Sequence, residues 1–498
     1  MEESLRRDRR RFLRQAAVGA GALWVSSLQD FAVRKAFGAP TVSGSPYGPV
    51  SPVIDETTGL PLLQLPQGFR YMSYGMTGDI MSDGVATPSL HDGMAVVKSI
   101  GRGSQLTGAD VREGTGFYKQ HLWWWNEWLS GTVSSASDRT PSRVILVRNH
   151  EQAGGLPYLN SPSITYSQTG AGGTTNLVFD LANGRFEKSW STLAGTIRNC
   201  AGGASLWNSW VTCEETGDAG HGWCFDVGSF QGDPTALTAM GRFSHEAMMF
   251  DPRTGYVYET EDSNDCGLYL FKPNVRGALA KGGDLFMLKV VSQWQADLGG
   301  EFPIGTTWKY EWVKVDDPTA ALESVYEQGR AKGAARFRRL EGSWWGHASD
   351  RVPGLQAKGY FLSTDGGKVG EGQVFEIDPS SQTLKLIYDS PAQSEAENPD
   401  NLVVTPRGSL LMCEDNAGAT TNDAERLLGL TLEGQAYTFA KNNMNLTTSP
   451  NGVIPPSDYR QSEWAGACFS PDGNWLFVNI QTPGATFAIT GPWQRGPI

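Results

Sequence analysis

At 498 residues the chain exceeds one ordinary domain but fits a single large β-propeller, and its 60 Gly, 27 Pro and 17 Trp against only 19% charged residues argue against a helical protein. The formal net charge of −12 disfavours nucleic acid, whose affinity depends on cationic side chains releasing counterions. Six cysteines at 200, 213, 224, 266, 413 and 468 form no CxxC pair and no short, even spacing, so a disulfide framework is not indicated; Cys213 and Cys224 are placed to pair across a hairpin in an oxidising compartment, although a core of this size makes such a staple unnecessary.

The chain opens with Arg9-Arg10-Arg11-Phe12-Leu13-Arg14, an apolar small-residue run from Ala16 to Leu28, then Arg34, Lys35 and a small-residue exit at 36–39. This is the pattern of a twin-arginine export signal, with Asp8 where Ser or Thr is usual, and it predicts a periplasmic or extracellular protein exported by the twin-arginine machinery. Residues 1–39 hold eight Lys or Arg against four Asp or Glu, so the chain without them carries −16. No other stretch approaches ~18 uninterrupted apolar residues, and no transmembrane span is expected in the mature chain.

Residues 40–65 are rich in Ser, Pro and Gly and read as an extended linker, so the globular domain is expected over 66–498. His91-Asp92-Gly93-Met94 leads into an apolar alternation. Trp123, Trp124, Trp125 and Trp128 form an aromatic cluster more consistent with packing than with a ligand platform. Strand-like runs then recur at 144–147, 175–179, 210–212, 256–258, 268–271, 360–363, 374–377, 410–413 and 475–479. Compact turns at 180–184, 251–255, 378–382, 405–408, 432–434 and 470–473 join many of them. Six turns of similar grammar at unequal intervals predict an all-β fold, a β-propeller with loop insertions, with a sandwich as the alternative. The Ala-, Arg- and Lys-rich stretch 317–339 reads as a helical insertion.

Acidic residues sit repeatedly where these strands end: Asn149-His150-Glu151, Glu214-Glu215, His245-Glu246, Glu261-Asp262, Arg339-Leu340-Glu341, Thr364-Asp365, Asp400-Asn401, Glu414-Asp415-Asn416 and Glu463. Each alone has a structural reading, and Asp251, Asp378 and Asp472 read as turn residues. Together they point to one mouth of a propeller, where corresponding strand ends converge and like charges would repel unless cations neutralise them. Arg198-Asn199-Cys200-Ala201-Gly202-Gly203 adds a sulfur: thiolate suits iron, zinc or copper, and carboxylates suit hard cations.

The ordered set Asn149-His150-Glu151, Asn199-Cys200, Thr212-Cys213-Glu214-Glu215, Gly241-Arg242-Phe243-Ser244-His245-Glu246, Glu261-Asp262, Arg339-Leu340-Glu341, Ser363-Thr364-Asp365-Gly366, Pro399-Asp400-Asn401-Leu402 and Phe469-Ser470-Pro471-Asp472-Gly473 resembles the PhoX-type alkaline phosphatases over residues 66–490. The resemblance implies a six-bladed propeller whose mouth holds Fe3+ and Ca2+. It implies Cys200, Glu151 and Glu246 as iron ligands, with Glu151 also open to calcium. Glu215, Glu341 and Asp262 would be calcium ligands, and Arg339 would bind phosphate. The chain departs from that pattern at Leu340, where the family has Pro.

The resulting expectation is metal-assisted hydrolysis of phosphate monoesters by in-line attack, with small phosphorylated substrates. No serine nucleophile is required, GxSxG is absent, and Gly170 to Gly173 follows no Walker pattern. Two rivals are a calcium-only propeller hydrolase of lactones or phosphotriesters, which needs no thiolate, and a non-catalytic propeller that uses metals for stability.

Overall fold

The computed structural model describes residues 44–101, 141–346, 358–415, 424–431 and 434–498. The twin-arginine stretch, the tryptophan cluster at 123–128, Asn416 and two residues of the 432–434 turn lie outside them.

Short strands separated by Asp- and Gly-bearing turns fold as antiparallel sheets, each the blade of a propeller. Blade one runs through His91–Gly101, Pro141–His150, Gly172–Asp180 and Arg185–Thr196, and blade two through Asn199–Ala204, Ser209–Glu214 and Cys224–Gly228. Blade three comprises His245–Phe250, Val257–Glu261, Leu268–Pro273 and Gly283–Val290. Blade four comprises Leu340–Gly346, Lys358–Ser363, Gln373–Asp378 and Thr383–Asp389. These two merge into one nine-stranded sheet because Thr307–Lys314 pairs with the outer strand of each. Blade five is Pro399–Val404, Leu410–Glu414, Arg426–Leu430 and Ala436–Asn442, and blade six is Trp464–Phe469, Leu476–Ile480 and Ala485–Thr490. The first strand of each blade packs against the first strands of its two neighbours, so six inner strands close a ring.

The ring closes because the inner strands carry small residues where they converge. A Cβ added at Gly93 would lie 2.6 Å from the Ala201 Cα of blade two, and one at Gly342 would lie 2.6 Å from the Asp400 carbonyl oxygen of blade five. Trp344 packs against hydrophobic clusters contributed by several blades and plugs the axis. It leaves a void of about 10 Å³, at or below the roughly 10–15 Å³ a water needs. The mouth is therefore a cup with a floor. Between blades, rings from facing sheets interlock: Phe179 of blade one meets Trp475 and Phe477 of blade six at centroid distances of 4.9 and 5.0 Å, pairs worth about 0.5–1.5 kcal/mol each beyond their buried area.

Arg70–Tyr74 becomes the outer strand of blade six, antiparallel to Ala485–Thr490, so a strand that precedes blade one is fastened to the last strand of the ring. The stretch expected as an extended linker over 40–65 is fastened as well. Val50–Val53 pairs with Leu63–Pro66, which extends blade five, and the Tyr47 hydroxyl donates to the Trp493 and Ile498 carbonyls. Its apolar residues explain the difference, since Tyr47, Leu62, Leu63 and Leu65 are all buried in the core. The helical expectation over 317–339 is also reduced. Only Val325–Ala331 is α-helical, capped by the Ser324 side chain accepting from the Glu327 N–H, and left-handed Gly333 follows its end. The turn reading of Asp180, Asp251, Asp378 and Asp472 matches their carboxylates, which accept N–H groups within their own turns.

Candidate metal centre

One backbone device is repeated at the mouth in every blade. The residue after the second strand donates its N–H to the carbonyl of the residue before the inner strand: Glu151 to Leu90, Glu215 to Arg198, Asp262 to Ser244, Thr364 to Arg339, Asp415 to Asn398 and Gln481 to Glu463, at 2.9 to 3.2 Å. The inner strand then enters the sheet with an irregular register directly after its first residues, in all six blades. Such bulges re-aim side chains. Three positions per blade are thus made equivalent: the residue before the inner strand, the second residue of that strand, and the residue after the second strand.

The second inner-strand residues are Asp92, Cys200, Glu246, Glu341, Asp400 and Ala465. Five of the six can ligate a cation. Together with residues after the second strands, and with Glu463 before the inner strand of blade six, they form overlapping groups whose ligand atoms lie within 4.8 Å of one another: Asp92, Glu151 and Cys200; Cys200, Glu215 and Glu246; Glu246, Glu341 and Asp400; and Asp400, Asp415 and Glu463. The groups share members, so they form one continuous arc across all six blades. Cys200 Sγ lies 3.3 Å from Glu246 Oε1. The Asn149 side-chain amide donates to the Cys200 and Ala201 carbonyls at 2.9 and 2.7 Å, which fixes the strand bearing the sulfur.

Of the residues singled out from sequence, the arc brings together Cys200, Glu151, Glu246, Glu215 and Glu341. Asp262 is in none of these groups; its carboxylate binds Arg339, with Nε to Oδ1 at 2.9 Å and Nη2 to Oδ2 at 3.2 Å. Arg339 also approaches Glu341 at 2.8 Å and Asp365 at 3.8 Å. Leu340 is fully buried in the apolar cluster of blades three and four, so the chain departs from Pro here without turning Arg339 off the rim. Asp400, Asp415 and Glu463, read from sequence as strand-end acids of the mouth but not assigned as metal ligands, join the arc. Asp92 was hidden in what reads as a lead-in to a strand.

Arg198 was missed altogether, and it is the counterpart of Arg339. Both precede an inner strand, and both hold left-handed backbone, φ 48° and 40°, as Leu90 and Asn398 do at the same place in blades one and five. Arg198 Nη2 lies 3.0 Å from Glu151 Oε1 and 2.5 Å from Glu215 Oε2. Their side chains remain 44% and 33% exposed, so both are reachable from the rim.

Burial drives the electrostatics. It pushes the carboxyls of Asp92, Glu215, Glu246, Glu341 and Glu463 well above their ordinary range, and their acidic neighbours push further. Asp400 is raised to about 7 by burial and by Asp415, and the Cys200 thiol is raised by burial, then by Asp92 and Glu246. Both oxygens of Asp92 and one each of Glu246 and Asp400 are buried with no hydrogen-bond partner. A buried acid cluster with bare oxygens is stable only protonated or with cations bound. The donor set fits metals of two kinds: soft sulfur with carboxylates around Cys200, and oxygen alone around Asp400.

The profile of alkaline phosphatase PhoX matches residues 45–484. Among solved structures, Pseudomonas fluorescens PhoX in complex with vanadate, a transition state analogue, superposes with a TM-score of 0.57 at 15% identity, covering 90% of this chain and 99% of that one; at this identity the likeness concerns the fold. XC5397 from Xanthomonas campestris, a gluconolactonase, reaches a TM-score of only 0.31 at 13% identity, covering 70% and 90%, and carries no argument. No curated protein sequence matches. A family profile spanning nearly all the described chain, on a six-bladed ring with an arc of acids and one sulfur at its mouth, places the chain in the PhoX alkaline phosphatase family and makes it a phosphatase.

Proposed function

We propose that the protein is an exported phosphatase that hydrolyses phosphate monoesters at the propeller mouth, with Fe3+ held by Cys200, Glu151 and Glu246 and Ca2+ held among Glu215, Glu341, Asp400, Asp415 and Glu463. The observation that carries this reading is the set of buried, unpartnered ligand oxygens on one face of a closed ring. Asp262, expected as a calcium ligand, acts instead through Arg339, whose guanidinium its two oxygens orient. The thiol inside the arc favours an iron-bearing centre over a calcium-only one.

The metals, when bound, neutralise the carboxylates and polarise the phosphoryl oxygens. The chain's own residues do the rest. An acidic protein repels phosphate, and Arg198 and Arg339 give the anion two cationic anchors on the rim, at the entries to blades two and four. Planar guanidinium groups grip nonbridging oxygens in pairs, which aligns the ester so that attack and departure lie on one axis. The Trp344 floor limits access to the mouth side. Export rests on Arg9-Arg10 and the apolar run behind them; among the described residues no helix is long and apolar enough to cross a membrane.

The test is elemental analysis of natively exported protein together with turnover of p-nitrophenyl phosphate before and after calcium chelation. Iron and calcium in the protein, with turnover lost on chelation and restored by calcium, support the proposal; full turnover by protein free of both metals refutes it. Arg9→Lys with Arg10→Lys should keep the protein in the cytoplasm.

A further inference from the structure

Blade two carries a second group of ligands that the mouth does not use. Cys213 and Cys224 face each other directly across its antiparallel outer strands, both fully buried, both free, with their sulfurs 3.9 Å apart. His245, the first inner-strand residue of blade three, offers a ring nitrogen within 4.8 Å of both thiols. Its Nε2 lies 3.0 Å from the Gly241 carbonyl oxygen and donates to it. That bond leaves the Nδ1 lone pair free, and Nδ1 has no hydrogen-bond partner. Glu259, from the neighbouring strand of blade three, is fully buried with neither carboxylate oxygen in a hydrogen bond, and Oε2 lies 3.4 Å from His245 Nδ1.

We propose that Cys213, Cys224, His245 and Glu259 form a structural zinc site that clamps blade two to blade three. Three features of the geometry argue for a divalent, thiophilic ion. In a tetrahedral site with Zn–S bonds of about 2.3 Å the sulfurs stand ~3.8 Å apart, which the two thiols already match, whereas a disulfide needs ~2.05 Å. A histidine that ligates a metal usually donates its other ring N–H to a carbonyl or carboxylate, as His245 does to Gly241. Glu259 lies against His245 but outside the group of three, so it would become the fourth donor by a shift of its buried, bare carboxylate towards the ion, which would close the shell without water as in structural sites rather than catalytic ones. A divalent ion beside Glu259 would also offset the cost of burying that acid in an apolar shell that includes Phe243, Met248 and Tyr269. Binding would displace the protons of the thiols.

The site is independent of the phosphatase reading. Protein purified after native export should contain about one zinc per chain besides whatever the mouth holds. Cys224→Ser should lose that zinc, keep its iron and calcium, turn over p-nitrophenyl phosphate within twofold of the parent, and unfold at a lower temperature. Because this variant can fail to fold, the unaltered protein is also stripped of metal and titrated with Co2+: a thiolate-to-cobalt absorption band that persists in Cys200→Ala is expected. Absence of zinc with a peptide cross-linking positions 213 and 224 would overturn the proposal in favour of a disulfide. Six free thiols with no zinc taken up from added Zn2+ would overturn it in favour of an apolar core. A cobalt band that disappears with Cys200→Ala would assign the metal to the mouth and overturn it as well.

Discussion

Glu246 and Glu261 belong to the same blade, are both buried, and differ in what their oxygens meet. Glu261, at the end of the second strand, accepts from the Tyr269 hydroxyl at 2.6 Å and the Gly267 N–H at 3.1 Å. Glu246, on the inner strand, has one oxygen beside the Cys200 sulfur and the other bare. The contrast recurs round the ring. Glu214 is met by N–H groups of Ile197, Gly222 and Trp223 and by His221, and Glu414 by Arg426 and two backbone N–H groups; Asp92 and Asp400 keep bare oxygens. The fold has already supplied donors to the acids that brace its own loops. What separates Asp92, Glu246 and Asp400 from the bracing acids is hydrogen bonding, not burial or residue type, and their bare oxygens are where cations belong, while Glu151, Glu215 and Glu463 of the arc are held by Arg198 and Gln481.

The largest effect should come from removing the sulfur. Cys200→Ala is expected to lower p-nitrophenyl phosphate turnover by at least ~100-fold, with a matching loss of iron by elemental analysis. Glu214→Gln should do the reverse, costing about 1–3 kcal/mol in denaturant unfolding while metal content stays unchanged. An outcome in which Glu214→Gln loses metal and Cys200→Ala does not would erase the distinction between the two sets. Next in size is the rim: Arg339→Ala should reduce kcat/KM by about 10²–10³, and Arg198→Ala by less, since it lacks a bidentate carboxylate to hold it. If Arg198→Ala leaves steady-state kinetics untouched, the two arginines are not counterparts.

The stability of chelated protein sharpens the comparison through pH. Asp400 sits at about 7 in the folded state against an ordinary 3.8, so the folded protein binds more protons than the unfolded chain between those values. The contribution of Asp400 to stability should therefore be full below about pH 4 and be lost as pH rises through 7, with the other raised carboxyls of the arc adding to the loss in the same direction. Calcium should flatten that slope, as monitored by thermal unfolding; a slope indifferent to calcium would mean the bare oxygens do not bind it. Smaller again, Gly342→Ala forces a methyl against the Asp400 carbonyl and should cost about 1–3 kcal/mol. Asp472→Ala at a turn should change stability by no more than about 1 kcal/mol and leave turnover intact.

Much of this was legible in the chain. The nine strand-like runs all fall in strands of the fold, differing only at edges such as Tyr256 and Trp475, because period-two alternation and Asp-initiated turns are local signals. The acids were legible as strand-end residues for the same reason. Asp92, Arg198 and Gln481 were not, because their meaning lies in equivalence between blades. Gln481 donates to both Glu151 and Glu463, holding two acids from different blades, and nothing near it in sequence announces this. Insertions of unequal length between the blades hide a repeat that the six identical backbone hydrogen bonds make plain. Composition likewise concealed that the Pro- and Ser-rich segment before residue 66 includes sheet strands, since edge positions tolerate proline.

Arg70–Tyr74 completes the last blade only by lying beside Ala485–Thr490. A nascent polypeptide, or one cut short of its final strands, can present a few of the acids but never the whole arc, whose members are drawn from every blade. On the proposed reading, ion capture at the mouth therefore waits for the inner strand of blade six to close the ring.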